Sequence, residues 1–529
     1  MLFRSGKLFA RTEIVSHRQG HSIHRYTYGD FYRRARRLAA VLQESGLQPG
    51  DRVATLMWNH HMHLEAYFGI PAAGGVLHAL DPRMHPGDLL YIMTHAADRF
   101  LIVDDVLLPV FEQIRDRVNL ERVIVTRFSG EPLPDCLDDY EKLLEGSAVE
   151  PVDPDLDETA PAVLSYTSGT TGTPKGVVHS HRAVSLHALA ISLPDAFSVS
   201  RADTVLPVMP MFHANAWGMP FAAVMNGSRI VMPGPDVKPE RILDLLAIHE
   251  VTLTGGVPAV WLGVVDALER QPRRWDIARG LRIVVAGAAA PEMLFRRFNM
   301  FGARVIQAWG TTETAPIATV STLKPHMEFW PEDDRYERLA MQGLPLPFME
   351  IRAVNDRGEV PWDGMTQGEV QVRGAWVAPH YHKHWEESGM WTEEGWFRTG
   401  DTATIHSDGY IKIGDRTTDL ITSGGEWIAS NDIEAALLAH PAIAEAAVIA
   451  VPDANWREHP LALVVVRPWT KATADELRMF LARRFVKRQL PDDVVIVAKL
   501  PRTATGKLLK SALREEYREW RSARVAVPA

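Results

Sequence analysis

"YTSGTTGTPKGVVHSH", Tyr166 to His181, gathers threonines, a serine and glycines around one lysine, and the preceding "APAVLS" reads as a short buried strand. Such residues cannot build a core, because they bury little apolar area and glycine costs backbone entropy. They can turn main-chain N–H groups and hydroxyls toward an anion, with Lys175 adding a charge that a phosphate neutralises. The nucleotide-binding P-loop requires Gly-Lys-Ser/Thr at the opening of a helix. Here Pro174 precedes Lys175 and Gly176 follows it, so that spacing fails, and the proline keeps Thr173 out of helical geometry. The stretch predicts a strand leading into a phosphate cradle; the alternative is a mobile polar hairpin without a ligand.

Working outward, short β-branched runs alternate with helical stretches. "YGDFYRRARRLAAVLQESG" has helical periodicity and stops at Gly46, and "DRVATLMW", "FLIVDD", "RVIVTR" and "SRIVMP" read as strands, with the helical "ERILDLLAIHE" among the later elements. Apolar strands alternating with helices point to parallel sheets covered on both faces, an α/β fold. From Gly409 the texture changes to strand, polar turn, strand and glycine-rich loop in "GYIKIGDRTTDLITSGGEWIAS". The helix "NDIEAALLAH", the strand "EAAVIAVPD", a capping box of Thr473 and Glu476 before the helical "LRMFLARRFV", the strand "DDVVIVAKL" and the closing helix "LLKSALREEYREW" follow. That is enough for a separate α+β domain, with a boundary near Asp415.

A chain of 529 residues exceeds one ordinary core, in agreement with two or more domains. A net charge of −9 argues against a nucleic-acid surface, which needs clustered basic residues. Cys136 is the single cysteine, no Cys/His cluster has zinc-ligand spacing, and no eighteen-residue apolar run occurs. The expectation is a cytoplasmic protein without an integral membrane segment.

Four further stretches carry chemistry. "QAWGTTET", Gln307 to Thr314, follows the strand-like "ARVI"; Gly310 permits close backbone approach, and Glu313 is a hard oxygen ligand of the kind Mg2+ takes, although such a turn can also be a plain helix cap. "RIVVAGAAAPEM" runs a buried strand into the small residues Gly287 to Pro291, which serve tight packing or leave a slot for a flat ring that Trp309 could cover. "EGWFRTGD" ends on Asp401, either a turn residue or an acceptor for ribose hydroxyls. "KLPRTATGKLLKSAL" delivers Lys507 to a predicted helix start, where the positive end of the helix disfavours a lysine unless something else wants it.

With these stretches in this order from Tyr166 to Lys507, the chain resembles the adenylate-forming superfamily of acyl-CoA synthetases, luciferases and adenylation domains over nearly its whole length. The resemblance implies a large N-terminal domain of packed sheets and helices with a β-barrel-like subdomain, residues 1–414, a hinge at 415–418 and a small mobile α+β C-terminal domain, 419–529. It implies ATP and AMP contacts from Thr167, Ser168, Gly169, Thr170, Thr171, Gly172 and Lys175, from Gly287, Ala288, Ala289 and Pro291, from Gln307, Ala308, Trp309, Gly310, Thr311 and Thr312, and from Asp401, Arg416 and Lys507. Thr312 then touches the α-phosphate, Thr171 and Glu313 hold Mg2+, and Lys507 is the catalytic lysine. Ser423, Gly424, Gly425, Glu426 and Trp427 of "SGGEWI" resemble the loop that meets the pantetheine arm of coenzyme A after domain rotation. The hinge position is Thr418, where relatives commonly carry lysine or aspartate.

"PMFHANAWGMPFAAVMNG", Pro210 to Gly227, is apolar and reads as a buried helix, yet "FHANAW" resembles the fatty acyl-CoA synthetase branch, which places His213 at the carboxylate end and Trp217 near the mouth of an acyl tunnel. The implied reaction is activation of a medium- or long-chain acid to an acyl-adenylate and its transfer to coenzyme A. Alternatives are the same chemistry on an aryl or short functionalised acid, luciferase-like oxidation of the adenylate, and a catalytically silent nucleotide-binding module. Relatives in this branch are often homodimers through the large domain.

Overall fold

In the computed structural model, residues 1–147, 150–167, 174–383, 389–416, 421–423, 426–428, 430–453, 457–486, 489–502, 508–518 and 520 are described, with the side chains of 21, 416, 422, 423, 426, 427, 453 and 457 left aside. Four sheets organise them. The largest has nine strands, ordered Leu344–Pro345, Thr319–Val320, Arg304–Trp309, Arg282–Val285, Leu253–Gly256, Thr204–Pro207, Arg229–Met232, Glu13–His17 and Ile23–Thr27. Its six central neighbours, from Arg304–Trp309 to Glu13–His17, are parallel and its margins antiparallel.

The second sheet has seven strands in the order Asp138–Asp139, Arg122–Thr126, Asp98–Asp104, Arg52–Leu56, Val76–Ala79, Pro161–Tyr166 and Gly176–Ser180. All pair in parallel except the last, so the two strands flanking the phosphate loop are antiparallel. The all-parallel expectation is thus corrected at the edges. A parallel neighbour needs a long crossover, whereas the short link from Tyr166 to Gly176 can only return the chain antiparallel. The helix expected after Thr27 is Tyr28–Glu44, and the Thr27–Asp30 capping box opens it. Its buried face, with Phe31, Ala35, Leu38 and Leu42, belongs to a core that spans both sheets.

The third sheet, Gly358–Glu359, Met349–Asn355, Gly368–Gly374, Phe397–Ile405 and Ile411–Arg416 in that order, is antiparallel throughout. It stands where the resemblance implies a β-barrel-like subdomain, but among the described residues its outer strands, Gly358–Glu359 and Ile411–Arg416, do not pair with each other, so the sheet is open. The fourth consists of Glu426–Ile428, Ile421–Ser423, Arg457–Val466, Ile443–Asp453 and Asp493–Ile496, with helices Ser430–Leu438, Ala474–Leu481 and Lys510–Glu516, and encloses its own core of Ile421, Ile433, Leu437, Val448, Val464, Leu477 and Leu481.

Two helix readings in this part need correction. Thr473 Oγ1 does accept from Glu476 N, but the helix stops at Leu481 instead of continuing through Val486, because Leu477 and Leu481 are its buried residues and the chain must then turn toward the strand at Asp493. The closing helix begins at Lys510, after Leu508 bridges Arg502 and Leu509 N bonds to Pro501 O, so it starts two residues later than the sequence pattern places it, and Lys507 itself lies outside the described residues.

Candidate functional site

The first strand of the phosphate-loop hairpin ends at Tyr166, and the loop's neck is closed by Thr167 N to Lys175 O at 2.9 Å and Lys175 N to Thr167 Oγ1 at 3.2 Å. Ser168, Gly169, Thr170, Thr171 and Gly172 lie outside the described residues. Lys175 Nζ stands 4.9 Å from the ring centroid of Tyr381, which forms a backbone bridge with Val177.

A cavity of about 740 Å³ gathers most of the other nucleotide-contact candidates. Gly287, Ala288, Ala289, Pro291, Gln307, Ala308, Trp309, Gly310, Thr311 and Asp401 line it. Gly287 has φ +83°, a conformation glycine adopts without the penalty a side chain incurs, and the turn after it leaves Ala288 and Ala289 exposed. Gln307 is buried and holds this turn, accepting from Ala290 N at 3.1 Å and donating to Ala288 O at 3.3 Å. Trp309 Nε1 donates to Asp401 Oδ2 at 3.0 Å, and both side chains are under 10% exposed. Asp401 pairs in register with Arg416 across the third sheet. The small unit closes the cavity through Asn431, Glu434, Arg502, Leu508 and Lys510. Lys507 and Thr418 fall outside the described residues, although Arg502 and Leu508 bring the flanks of Lys507 to the cavity wall.

Sequence reasoning passed over Lys510, whose Nζ lies 2.7 Å from Glu434 Oε1 and 2.6 Å from Ser430 Oγ. Burial raises the carboxyls of Glu434 and Asp415, and Lys510 works against that by supplying positive charge. Asp415 in turn accepts from Ser430 Oγ at 2.9 Å and from Asn431 N, which seats the helix Ser430–Leu438 on the end of the third sheet.

Thr312 and Glu313 form a short helical turn, Thr312–Thr314, next to the phosphate loop and beyond the cavity lining. His179 Nε2 donates to Thr312 O at 2.8 Å, and burial lowers its pKa, so the ring is neutral. Tyr381 OH donates to Glu313 Oε1 at 2.7 Å. His179 sits inside the stretch that decided the fold, yet a histidine on a strand has no signature of its own; Tyr381 belongs to no motif singled out in the sequence.

The region of His213 and Trp217 departs most from its reading. Instead of a helix from Pro210, residues Ala214, Asn215, Ala216 and Trp217 all have φ between +42° and +57°, and only after Gly218 does the helix Met219–Asn226 begin. Left-handed conformations cost side-chain-bearing residues about 1–2 kcal/mol each, so neighbouring structure must impose them. The stretch leading into the turn is anchored by Asn59, which donates to Pro207 O and Met209 O and accepts from Met211 N, and by the Tyr67 hydroxyl, which bonds Met211 O. Trp217 is buried, His213 half-buried, and neither lines the cavity that holds Asp401. In the "SGGEWI" stretch, Ser423 and Glu426 face each other in register at a hairpin; Gly424 and Gly425 lie outside the description, as do the side chains of Ser423, Glu426 and Trp427.

The profile of the AMP-binding enzyme family matches residues 6–382, and that of the AMP-binding enzyme C-terminal domain matches residues 432–507. The chain belongs to the AMP-binding enzyme family. This member is 45% identical over 522 residues to a long-chain-fatty-acid–CoA ligase of Thermus thermophilus, an alignment spanning 98% of this chain and 95% of that protein. It is 38% identical to a 3-methylmercaptopropionyl-CoA ligase of Ruegeria lacuscaerulensis, over 98% and 97% of the two chains. Among solved structures, the o-succinylbenzoate CoA synthetase of Bacillus subtilis, in complex with its acyl-adenylate intermediate, superposes with a TM-score of 0.79 at 26% identity, covering 97% of each chain. Among the described residues of this AMP-binding enzyme, no helix is long and apolar enough to cross a membrane, and no group of three or more His, Cys, Asp or Glu side chains is placed to hold a metal ion. Mg2+ fits the site nonetheless, because it commonly takes one carboxylate and completes its shell from nucleotide phosphates and water, and Glu313 is a buried carboxylate beside the phosphate loop.

Proposed function

We propose that this chain is an AMP-forming acid–thiol ligase that activates a medium- or long-chain fatty acid with ATP and passes the acyl group to coenzyme A. The observation carrying this reading is the cavity in which Gln307 shapes a small-residue slot, Trp309 holds Asp401, and the flanks of Lys507 complete the wall.

A carboxylate oxygen attacks the α-phosphorus of ATP, the bond to the bridging oxygen breaks, and diphosphate leaves with that electron pair. Attacker and target are both anions, and at about 4 Å their repulsion is worth roughly 4 kcal/mol at an effective dielectric near 20. Lys507 offsets it at the acid and α-phosphate, and the loop from Thr167 to Lys175 holds the departing diphosphate. Thr312 bonds the α-phosphate, and Asp401 accepts the ribose hydroxyls beside an adenine in the Gly287–Pro291 slot. Glu313, with Thr171, would hold Mg2+, which when bound neutralises phosphate charge. The thiolate sulfur of coenzyme A then attacks the acyl carbonyl and AMP leaves as the phosphate anion, the thiol proton passing to solvent.

For the second step the small domain, 419–529, turns about 415–418 so that the Ser423–Trp427 stretch replaces Lys507 at the acyl carbon. His213 sits at the carboxylate end of the acyl site and Trp217 toward its mouth. We expect a cytoplasmic homodimer. The likeness to the 3-methylmercaptopropionyl-CoA ligase favours a second reading, a short functionalised acid under the same mechanism. Exchange of labelled diphosphate into ATP across a graded series of acids, followed by thioester formation with coenzyme A, tests both readings. Exchange peaking at medium or long chains is expected, a peak at short substituted acids moves the substrate, and no exchange with any acid overturns the proposal.

A further inference from the structure

Glu313 and Lys175 carry opposite charges on adjoining segments, and Tyr381 touches both. Its ring faces Lys175 Nζ, and its hydroxyl donates to Glu313 Oε1 at 2.7 Å. The ring does not depend on Glu313 for its place. Trp391 packs edge-on against it with centroids 5.1 Å apart, the backbone of Tyr381 bridges Val177, and the next residue, His382, donates its N–H to Gly176 O at 2.7 Å. Glu313 is fixed as well: Ala378 N donates to Glu313 O at 2.8 Å, and His179 grips the preceding carbonyl. Both Tyr381 and Glu313 are buried. A rigidly held phenol hydroxyl therefore meets one carboxylate oxygen, and no hydrogen bond to Oε2 forms among the described residues.

We infer that Tyr381 is a positioning residue for Glu313. Its hydroxyl locks the carboxylate so that Oε2 is presented to a divalent cation, and its ring face takes the Lys175 ammonium, so that one side chain serves the metal ligand at its edge and the phosphate-loop cation at its face. Two opposite charges in a poorly solvated corner attract strongly, and a direct pair would remove both from the nucleotide. A neutral ring with a polar edge satisfies each: the π face accepts the ammonium, and the hydroxyl donates to the carboxylate. The inference rests on the proposed role of Glu313 as metal ligand.

Tyr381→Phe removes one oxygen and keeps the ring, its packing on Trp391 and its contact with Lys175. The test is calorimetric, on the full chain without any acid: the dissociation constant of ATP is measured with a chelator and again with saturating Mg2+, in the parent protein, in Tyr381→Phe and in Glu313→Gln. ATP affinity in chelator should match between the parent and Tyr381→Phe, while the tightening produced by Mg2+ should shrink about tenfold or more in Tyr381→Phe, the usual loss when an outer partner of a metal ligand is removed. Full tightening in Tyr381→Phe, with Glu313→Gln deficient, overturns the inference and leaves the role of Glu313 standing. Equal tightening in all three proteins removes Glu313 from the metal site and this inference with it.

Discussion

One indole N–H determines how Asp401 presents itself. Trp309 donates to Oδ2 and the Asp401 amide bonds Thr399 Oγ1, so the carboxylate enters the cavity already oriented. In Asp401→Asn, the amide loses the charge that strengthens hydrogen bonds to a ribose, and an amide nitrogen turned toward Trp309 would oppose another donor. Charge-assisted bonds of this kind are worth about 1.5–3 kcal/mol. The KM for ATP should therefore rise about ten- to a hundredfold, and the parent enzyme's preference for ATP over 2′-deoxyATP should vanish in the variant; a preserved preference would take Asp401 away from the sugar. Residue types at this site were readable in the sequence because family order makes each motif specific. Their partnerships were not: nothing local to "QAWG" or "RTGD" says that Trp309 and Asp401 share a hydrogen bond, and nothing marks His179 or Tyr381 as grips on the Thr312–Glu313 turn.

Elements were legible where local pattern and tertiary demand agree. The strand leading into the phosphate loop, the capped helix Tyr28–Glu44 and the strand Arg304–Trp309 all lie where hydrophobic period and turn chemistry place them. "HANAWG" was misread because alanine-rich local propensity favours a right-handed helix, whereas its residues Ala214 to Trp217 are left-handed and buried, and the chain entering them is anchored by Asn59 and Tyr67, about 150 residues earlier. Gly310 shows the opposite case, a reading of close backbone approach that the fold makes concrete: a Cβ there would lie 1.8 Å from Pro316 O and 2.7 Å from Thr314 Oγ1. Gly310→Ala must push the turn apart. Forced contacts of this kind cost about 1–3 kcal/mol, so the variant should melt earlier than the parent and lose diphosphate exchange through a higher KM for ATP; a parent-like KM would mean that the turn absorbs the methyl without moving Thr312.

Across the whole molecule, burial has trapped several histidines as neutral rings. Desolvation lowers His63 and His187 each to about 3, and His24 and His249 each to about 4. A base whose folded pKa lies below its unfolded value near 6.5 leaves the unfolded chain with more bound protons on the acid side. The stability these groups contribute is therefore complete above about pH 6.5 and declines as pH falls, by about 1.4 kcal/mol per group at pH 5.5. His187 allows a clean check. It accepts from Ile317 N at 3.3 Å and packs beside Gly218, where a Cβ would come within 2.6 Å of its ring. His187→Gln should be less stable than the parent at pH 7.5, and the gap in thermal midpoint should narrow at pH 5.5; a constant gap would show that the folded protein accommodates the proton.

Chain-local chemistry determined the α/β class, the ordered nucleotide motifs and the change of texture from Gly409, because hydrophobic period, turn residues and phosphate-binding composition act over a few residues at a time. Tertiary structure alone decided which sheet edges run antiparallel, that the "HANAWG" turn is left-handed, and that Trp309 meets Asp401, Tyr381 meets Glu313 and Lys510 meets Glu434. Those outcomes depend on groups brought together from distant parts of the chain, where burial and charge are set by neighbours that no short window contains.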